Sequence, residues 1–390
     1  MQTQPVISRT RRAAMAGAML AVSALALSAC SATSNSAGAK QSSGATNSSA
    51  KRALATAYKG VTGTPPTTSA TPKKGVSLWV VSCGQSVPSC STPVAAAKQA
   101  ATKVGWTVHV CDGQLNPNGW GNCIRQATSA KAKVVIPVGI DCASVQAPME
   151  AADKAGVTLI GGGGADCTAT GGKKTLATER LQLPNTTIEQ YWNLNGKLQA
   201  DWIIGKTNGK AKVVMLNFTD PVWGPWITAG FKKELAKCSG CSIVKTLDIS
   251  NADASGGQLA QKFSTALLQA TSANSVMVPV GGWMQAGLTQ AIESSNKVSK
   301  LVVSSGFGDA STMDIVRSKK FTFGALGYAS EWGAYGSIDE AIRVLDDKKP
   351  VIEGDGFQMV DATHNLPATG DYTGGKVDFK ADYLKLWGVS

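Results

Sequence analysis

The sequence is poor in charge, and residues 1–111 include no acidic residue. Charged side chains make up only 16% of the 390 residues, with 38 Lys and Arg against 26 Asp and Glu, a formal net charge of +12. The first acidic residue is Asp112, and nine of the basic side chains lie within residues 1–75. Beyond residue 75 there are 29 basic and 26 acidic side chains, a net charge of +3. The basic excess therefore belongs mostly to the N-terminal segment, which argues against a folded surface that binds nucleic acid.

Motifs of common catalytic and metal sites are also missing. His109 and His364 are the only histidines, and no GxSxG, HExxH or GxxxxGK[ST] motif occurs. Zinc sites group more Cys and His ligands at short spacings than this chain offers. The adjacent Asp346 and Asp347 stand beside two lysines, as in a solvated surface cluster. We therefore expect no cofactor, no metal and no catalysis, and keep an exported enzyme as an alternative. The 43% of hydrophobic residues can fill a core and excludes a wholly disordered chain.

One long apolar run is present, at the N-terminus. Ala13–Ala29 follows three arginines and is too short for a comfortable transmembrane helix. It ends in Leu27-Ser28-Ala29-Cys30, which resembles the lipobox of bacterial lipoproteins, where the leader is removed and the cysteine carries lipid. The resemblance implies a signal peptide over residues 1–29, lipid attachment at Cys30, and a location on the outer face of the cell membrane. An ordinary secretory leader and a twin-arginine signal at Arg11-Arg12 remain alternatives.

Residues 30–75 are rich in Ser, Thr, Ala, Gly, Asn and Lys, and they show no hydrophobic period. Such composition is typical of a flexible linker. We therefore predict a disordered tether between the lipid anchor and the folded body.

Eight cysteines remain when Cys30 is set aside. An even number in an exported chain predicts disulfides, although eight cysteines allow 105 connectivities. Sequence neighbours fall in single loops or on successive strand ends, so we predict the pairs Cys83–Cys90, Cys111–Cys123, Cys142–Cys167 and Cys238–Cys241. The last pair forms a CxxC that follows a predicted helix and precedes a strand. A redox CxxC normally stands at a helix N-terminus, so a structural bridge is favoured over a redox site.

From residue 76 onward, apolar runs rich in Val and Ile alternate with amphipathic stretches. This alternation predicts parallel sheets covered by helices on both faces, and a break near residue 183 indicates two sheets. The predicted strands are Val76–Ser82, Trp106–Val110, Val134–Gly139, Val157–Ile160, Val213–Asn217, Ser242–Leu247, Ser275–Val280, Leu301–Ser305 and Phe321–Gly327. Ligands of doubly wound sheets bind beyond the carboxyl ends of the strands. The α/β pattern therefore predicts two doubly wound lobes with a ligand cleft between them.

Several ordered stretches carry a resemblance to a known family. They are Val76–Val81, Val108–Asp112, Ala132–Asp141, Ala155–Ile160, Met284–Ile292, Gly306–Gly308 and Gly333–Leu345. Over residues 76 to about 365 the chain resembles the type I periplasmic solute-binding proteins, the sugar-binding group related to the lac repressor core. The resemblance implies a hinged, monomeric, two-lobed receptor that closes on a small-molecule solute and, with a lipid anchor, serves the permease of an ABC importer. A sensor lipoprotein that signals to a membrane partner is an alternative. We expect no counterpart of the DNA-binding module of the lac repressor relatives, because the predicted leader and tether occupy its place in the sequence.

The lobes expected from this resemblance are discontinuous. Lobe 1 comprises residues 76–183 and about 328–350, and lobe 2 comprises residues 184–327 and about 351–390.

The chain departs from the sugar-binding pattern where specificity resides. Relatives commonly have Asp-Arg after the fourth strand, where this chain has Gly161–Gly164, and Asn-Asp after the eighth, where it has Gly281–Trp283. Glycine and tryptophan at such positions predict a wider, more aromatic cleft than a monosaccharide needs. We expect the glycine run to serve close backbone approach rather than a phosphate cradle.

The candidate ligand contacts follow from these positions. The aromatic candidates are Trp223, Trp226, Trp283 and Trp332, and the polar ones are Gln85, Asp141, Asn217, Asp220, Asp309 and Glu331. The alternative for each tryptophan is core packing. The alternative for a strand-end Asp or Asn is a helix N-cap, Asp309 above all.

Overall fold

The computed structural model describes residues 40–68 and 70–389. The strands are β1 (Ser77–Ser82), β2 (Thr107–Asp112), β3 (Val134–Val138), β4 (Thr158–Leu159), β5 (Lys212–Phe218), β6 (Ser242–Ile249), β7 (Ser275–Val278), β8 (Val302–Ser305), β9 (Thr322–Tyr328) and β10 (Phe357–Asp361). The helices are α1 (Lys40–Lys59), α2 (Pro88–Lys103), α3 (Pro117–Ser129), α4 (Gln146–Lys154), α5 (Ile188–Lys206), α6 (Trp223–Leu235), α7 (Asn251–Ser255), α8 (Leu259–Gln269), α9 (Thr289–Glu293), α10 (Ala310–Ser318), α11 (Ser330–Leu345) and α12 (Phe379–Leu386). A π-helical turn, Met284–Leu288, precedes α9.

The strands form two sheets, one in each lobe. The lobe 1 sheet has four parallel strands in the order β2-β1-β3-β4, and the lobe 2 sheet has six in the order β10-β9-β8-β7-β5-β6. All strand pairs are parallel except β10 with β9. The central strand β3 is buried at every position, because helices cover both faces of its sheet. The predicted fold of two parallel-sheet lobes is confirmed, and β10 is an antiparallel edge strand that the sequence analysis missed.

The C-terminal part of the chain divides between the lobes. β10 completes the lobe 2 sheet. By contrast, α12 packs on α11, where the Tyr335 ring lies 5.5 Å from the Phe379 ring and 5.8 Å from the Trp387 ring. Since α11 itself packs on α2, this C-terminal helix belongs to lobe 1. The expectation that residues 351–390 lie wholly in lobe 2 is therefore wrong for α12, whose aromatic face finds its buried partners on α11.

The N-terminal segment packs on lobe 2 instead of forming a free tether. Ala50 and Ala57 of α1 are buried against α5 and β10. A Cβ atom on Gly205 of α5 would lie 2.4 Å from Leu54 Cβ, so the glycine allows the two helices to touch. Tyr58 Oη donates to Asp361 Oδ2 at 2.5 Å. The prediction of a disordered tether is therefore wrong for residues 47–59, which belong to a packed helix. The sequence does not reveal this packing, because small residues pack closely without giving a strong hydrophobic period.

After α1 the chain crosses from lobe 2 to lobe 1. The N–H of Gly63 donates to the carbonyl of Gly354 at 2.7 Å, beside a second crossing segment. Further along, Arg343 of α11 donates to the carbonyl of Thr68, and Trp106 Nε1 donates to the carbonyl of Lys73 at 2.8 Å. Residues 61–68 and 70–75 therefore belong to one more connection between the lobes, beside those near residues 180, 329 and 353. Cys30 and the predicted leader lie outside the described residues.

Candidate functional site

A cavity of about 290 Å³ lies between the two lobes. Lobe 1 contributes residues that follow β1 and β3, among them Cys83 and Asp141. Lobe 2 contributes residues that follow β5, β7 and β8, among them Asp220, Gly282 and Phe307. The cavity thus lies beyond the carboxyl ends of both sheets, where doubly wound folds bind ligands. Its volume is near the lower end of the range for small-molecule pockets.

Lobe 2 supplies a continuous aromatic wall to this cavity. We define the aromatic wall by the lining residues Trp192, Phe218, Trp223, Trp283, Phe307 and Tyr328. The Trp223 ring lies 5.6 Å from the Trp192 ring, 5.5 Å from the Phe218 ring and 5.8 Å from the Phe307 ring. Spacings of this size are typical of favourable aromatic pairs. The rings therefore hold one another in place before any ligand arrives.

Lobe 1 supplies a wall of short loops. The Cys83–Cys90 disulfide closes the loop between β1 and α2, and both cysteines line the cavity. Trp120 Nε1 donates to the carbonyl of Cys83 at 2.8 Å and fixes the start of that loop. A Cβ atom on Gly162 would lie 2.4 Å from the Pro137 carbonyl oxygen. The glycine run after β4 therefore permits close backbone approach, as predicted.

All four predicted disulfide pairs are confirmed. Three of them brace the carboxyl end of the lobe 1 sheet. The fourth, Cys238–Cys241, closes a turn between α6 and β6 in which the Cys241 N–H donates to the Cys238 carbonyl at 3.0 Å. This position after a helix agrees with a structural bridge.

Asp141 connects the lobes across the cavity. Its Oδ1 accepts from the N–H of Ala165 in lobe 1, and its Oδ2 accepts from the N–H of Val222 in lobe 2, each at 2.8 Å. Burial raises the pKa of the Asp141 carboxyl, and these two backbone hydrogen bonds oppose the rise. The side chain is 4% exposed, so either bond is costly to leave unmade. Asp141 therefore ties the first turn of α6 to the lobe 1 rim.

Arg180 occupies the hinge at the back of the cavity. Its guanidinium pairs with Glu353 and with Asp355, at 2.7 Å from Asp355 Oδ2, and donates to Tyr328 Oη at 2.9 Å. Burial alone would lower the pKa of Arg180, but Asp355 and Glu353 raise it well above its ordinary value. A Cβ atom on Gly333 would lie 2.4 Å from Arg180 Nη1, so glycine there leaves room for the guanidinium. The ion cluster thus joins three of the interlobe segments.

Half of the predicted contact residues line the cavity. Those in the lining are Asp141, Asp220, Trp223, Trp283 and Asp309, and those outside it are Gln85, Asn217, Trp226, Glu331 and Trp332. Asp309 also caps α10, since its Oδ1 accepts from the N–H of Thr312 at 2.7 Å. Asp309 therefore both caps a helix, as the alternative predicted, and lines the cavity.

The five residues outside the lining make other contacts. Gln85 is exposed and bonds to Ser82 Oγ at 2.7 Å. Asn217 Nδ2 donates to Asp248 Oδ1 and its Oδ1 accepts from Thr228 Oγ1, and Trp226 is half-buried and packs against the lobe 2 core. Glu331 pairs with Lys380 at 2.9 Å, and the fully buried Trp332 donates from Nε1 to the Glu353 carbonyl at 2.9 Å.

Helix orientation explains the two errors on α11. This helix presents Ser330, Gly333, Ala334 and Ser337 to the cavity, which are spaced three and four residues apart. Positions 331 and 332 therefore point away from it.

Several lining residues were missed in the sequence analysis. Arg180 and Trp192 stand in the first crossing and in α5, where no strand end marked them. Phe307 and Tyr328 do follow β8 and close β9, so the strand-end rule could have found both. For Arg180 and Trp192, the one available signal in the sequence is that a charged and an aromatic residue stand close to the break near residue 183.

Two negative observations concern the described residues alone. Over residues 40–68 and 70–389, no helix has the length and apolar character to span a membrane. In the same part of the chain, no three His, Cys, Asp or Glu side chains group as a metal site would require.

Comparisons with known proteins agree with this geometry. Residues 80–349 match the family model of the periplasmic binding protein domain. A search of curated proteins finds no match. Among solved structures, an ABC transporter solute binding protein from Bacillus halodurans C-125 with bound myo-inositol is 14% identical with a TM-score of 0.61, covering 75% of this chain and 97% of that one.

Two further solved structures are similar over comparable lengths. An ABC transporter periplasmic solute binding protein from Actinobacillus succinogenes 130z with bound D-allose is 17% identical, with a TM-score of 0.59 over 75% of this chain and 98% of that one. An ABC transporter solute binding protein from Burkholderia graminis C4D1M in complex with D-arabinose is 18% identical, with a TM-score of 0.60 over 76% and 99%. At such identities the likeness establishes the fold.

Proposed function

Because this chain belongs to the periplasmic binding protein domain family, we propose that it captures a small-molecule solute between its two lobes and delivers it to an ABC-type importer. The observation that carries the proposal is the interlobe cavity, which has an aromatic wall in lobe 2 and is bridged by the Asp141–Val222 hydrogen bond. A bond of this kind forms only when the lobes are close together, so closure and enclosure of the solute are coupled. The solute is a sugar-like or bulkier ring compound that fits about 290 Å³.

The lining supports binding without chemistry. The described lining residues include no histidine, and the two cysteines among them, Cys83 and Cys90, are joined in a disulfide. Arg180 is already engaged by two carboxylates. A nucleophile activated by a neighbouring base is therefore not found among the described lining residues. We propose that the solute leaves the cavity chemically unchanged.

The location follows from family membership and from the N-terminal sequence. Periplasmic binding proteins work outside the cytoplasm, and the four disulfides suit an oxidising compartment. We further propose that residues 1–29 are removed, that Cys30 carries lipid, and that the monomeric protein meets the permease subunits at the outer face of the cell membrane.

A ligand screen tests the proposal. The mature chain is screened by thermal shift against sugars, polyols, nucleosides, amino acids, aromatic acids and amines, and each hit is titrated calorimetrically. We expect one solute per chain, and we expect mass spectrometry to recover it unaltered. Stoichiometry far from one, or conversion of the solute, contradicts capture. The absence of any hit across all of these classes counts equally against it.

A further inference from the structure

The interlobe cavity has a surplus of carboxylates. Its charged lining residues are Asp141, Arg180, Asp220, Asp309 and Asp371. Arg180, the one basic residue among them, is paired with Glu353 and Asp355, so its charge is already balanced within the hinge. Within the described lining, no cation is therefore left to bind an anionic solute. The electrostatic field of the cavity opposes carboxylate and phosphate ligands.

Two of these carboxylates stand together where α10 begins. Asp309 is 8% exposed, and its Oδ2 accepts no hydrogen bond from the described residues. Asp371 is half-buried, and its Oδ1 accepts from the N–H of Ala310 at 2.6 Å. Lys380 approaches this pair, but it forms an ion pair with Glu331 at 2.9 Å. We call Asp309 and Asp371 the acidic pair.

The environment of the acidic pair penalises a second negative charge. Burial raises the pKa of the Asp371 carboxyl, the hydrogen bond from Ala310 opposes this, and the charges of Asp309 and Glu331 raise it further. Asp371 is thus a carboxylate whose charge lacks full compensation, and Asp309 has one buried oxygen that accepts no hydrogen bond from the described residues. A positive charge in the cavity would supply that compensation.

The aromatic wall adjoins the acidic pair. Phe307 stands two residues before Asp309 and lies 5.8 Å from Trp192 and 5.8 Å from Trp223, ring centre to ring centre. Aromatic faces attract ammonium groups, and they do so more strongly in a desolvated site. Aromatic rings beside uncompensated carboxylates are the usual protein environment for an organic cation.

Building on the function proposed above, we propose that the solute is a compact organic cation, a protonated or quaternary amine on a ring or short apolar frame. Its charge lies toward Asp309 and Asp371, and its frame lies against Trp192, Trp223 and Phe307. The cavity volume of about 290 Å³ lies near the lower end of the range for small-molecule pockets and so favours a compact frame.

Two series of ligands test the inference, and within each series the ring stays the same while the charge changes. One series is glucosamine, glucose and glucuronate, and the other is benzylamine, benzyl alcohol and benzoate. Each is titrated calorimetrically at pH 7 into the mature chain. In the series that binds more tightly, we expect the amine to bind at least about tenfold more tightly than the neutral member. We expect the acid to show no binding.

The outcomes separate this inference from the proposed function. A neutral member that binds as tightly as its amine, or an acid that binds, overturns the inference and leaves solute capture standing. If neither series binds, the charge of the best hit from the general screen decides, and a neutral or anionic hit overturns the inference. If nothing binds in either experiment, the proposed function fails and the inference fails with it.

Variants of the acidic pair locate the cation. Asp371→Asn removes the charge and keeps the oxygen that accepts from Ala310. We expect it to weaken amine binding about tenfold while the affinity for a neutral ligand on the same frame changes little. The control is Asp314→Asn, a 73% exposed position on α10, which should change neither affinity. Equal weakening of amine and neutral ligands by Asp371→Asn would indicate a purely structural role and overturn the assignment.

Discussion

The Oδ2 atom of Asp141 lies 2.8 Å from the backbone nitrogen of Val222, and this hydrogen bond joins the rim of lobe 1 to the start of α6 in lobe 2. The bond is charge-assisted, since a carboxylate accepts from a backbone N–H at the first turn of a helix. The other carboxylate oxygen of Asp141, Oδ1, accepts from the N–H of Ala165 in lobe 1. Lobe 1 therefore orients the carboxylate before it contacts lobe 2. Asp141 is therefore a closure contact and not only a ligand contact.

The first prediction concerns this closure contact. In Asp141→Asn, the side-chain oxygen can still accept from one of the two backbone N–H groups of Ala165 and Val222, but the side-chain NH₂ then faces the other N–H group. We expect solute affinity to fall about tenfold to a hundredfold, because one charge-assisted hydrogen bond contributes about 1.5–3 kcal/mol. Calorimetric titration measures the change, and Asp314→Asn serves again as an exposed control. Unchanged affinity in the Asp141 variant would show that closure does not depend on this bond.

The second prediction separates two disulfides of similar size. Cys83→Ser/Cys90→Ser and Cys238→Ser/Cys241→Ser each open a short loop, so each should lower the free energy of unfolding by about 2 kcal/mol. Only the first loop lines the cavity. We expect the first double variant alone to weaken solute binding, by about threefold to tenfold, because the loop must then be ordered on binding. Equal affinities for the two variants would contradict a role of the Cys83–Cys90 loop in the site.

The third prediction concerns the pH dependence of stability. Burial first, and the charge of Glu353 second, raise the pKa of Glu340 from 4.5 to about 9. The folded protein therefore keeps a proton that the unfolded chain releases at lower pH, so the contribution of Glu340 to stability is fully present below pH 4.5 and is lost as the pH rises toward 9. Glu340→Gln removes this dependence and retains the oxygen that accepts from Val351.

Denaturant unfolding between pH 6 and 8 measures the effect. The slope of the unfolding free energy against pH should be less negative in Glu340→Gln by up to about 1.4 kcal/mol per pH unit. Glu189→Gln, at an exposed position, should leave the slope unchanged. A Glu340 variant with the wild-type slope would show that this carboxyl ionises normally in the folded protein.

The fourth prediction concerns the packing of α1 on lobe 2. Gly205→Val places a side chain where Leu54 already lies, so α1 must move away from α5. We expect a loss of about 1–3 kcal/mol in unfolding free energy and faster proteolysis within residues 47–59. Gly282→Val is the control, because a Cβ atom there meets nothing within 4 Å. Equal protease resistance of α1 in the two variants would contradict the packing.

The sequence predicts the parallel strands well because most of them, β1, β3, β5, β7 and β8, carry Val-rich or Ile-rich runs that are largely buried. It predicts neither β10 nor α12 as an element, since each depends on a distant partner, β9 for the strand and α11 for the helix. The packed position of α1 is hidden for a similar reason. Its contacts rely on alanine and on Gly205 of another helix, which no local pattern reveals.

The site was predicted in part, and helix rotation accounts for much of the difference. Trp223 and Trp226 are equally plausible from the sequence, and both are half-buried against the lobe 2 core, yet only Trp223 lines the cavity. Trp192 was missed because it comes from the second turn of α5 and not from a strand end. Strand ends locate a cleft, but the rotation of each helix decides which side chains enter it.

Trp223 and Trp226 offer the most direct test of solute capture in the interlobe cavity. The best ligand of the screen is titrated calorimetrically into the wild type, Trp223→Ala and Trp226→Ala, three chains that differ by one ring on one helix. We predict that loss of Trp223 weakens binding about tenfold to a hundredfold, because a buried aromatic side chain contributes about 1.5–3 kcal/mol, and that loss of Trp226 changes affinity less than about threefold. Equal effects of the two variants, or a larger effect at Trp226, would contradict capture of the solute in the interlobe cavity.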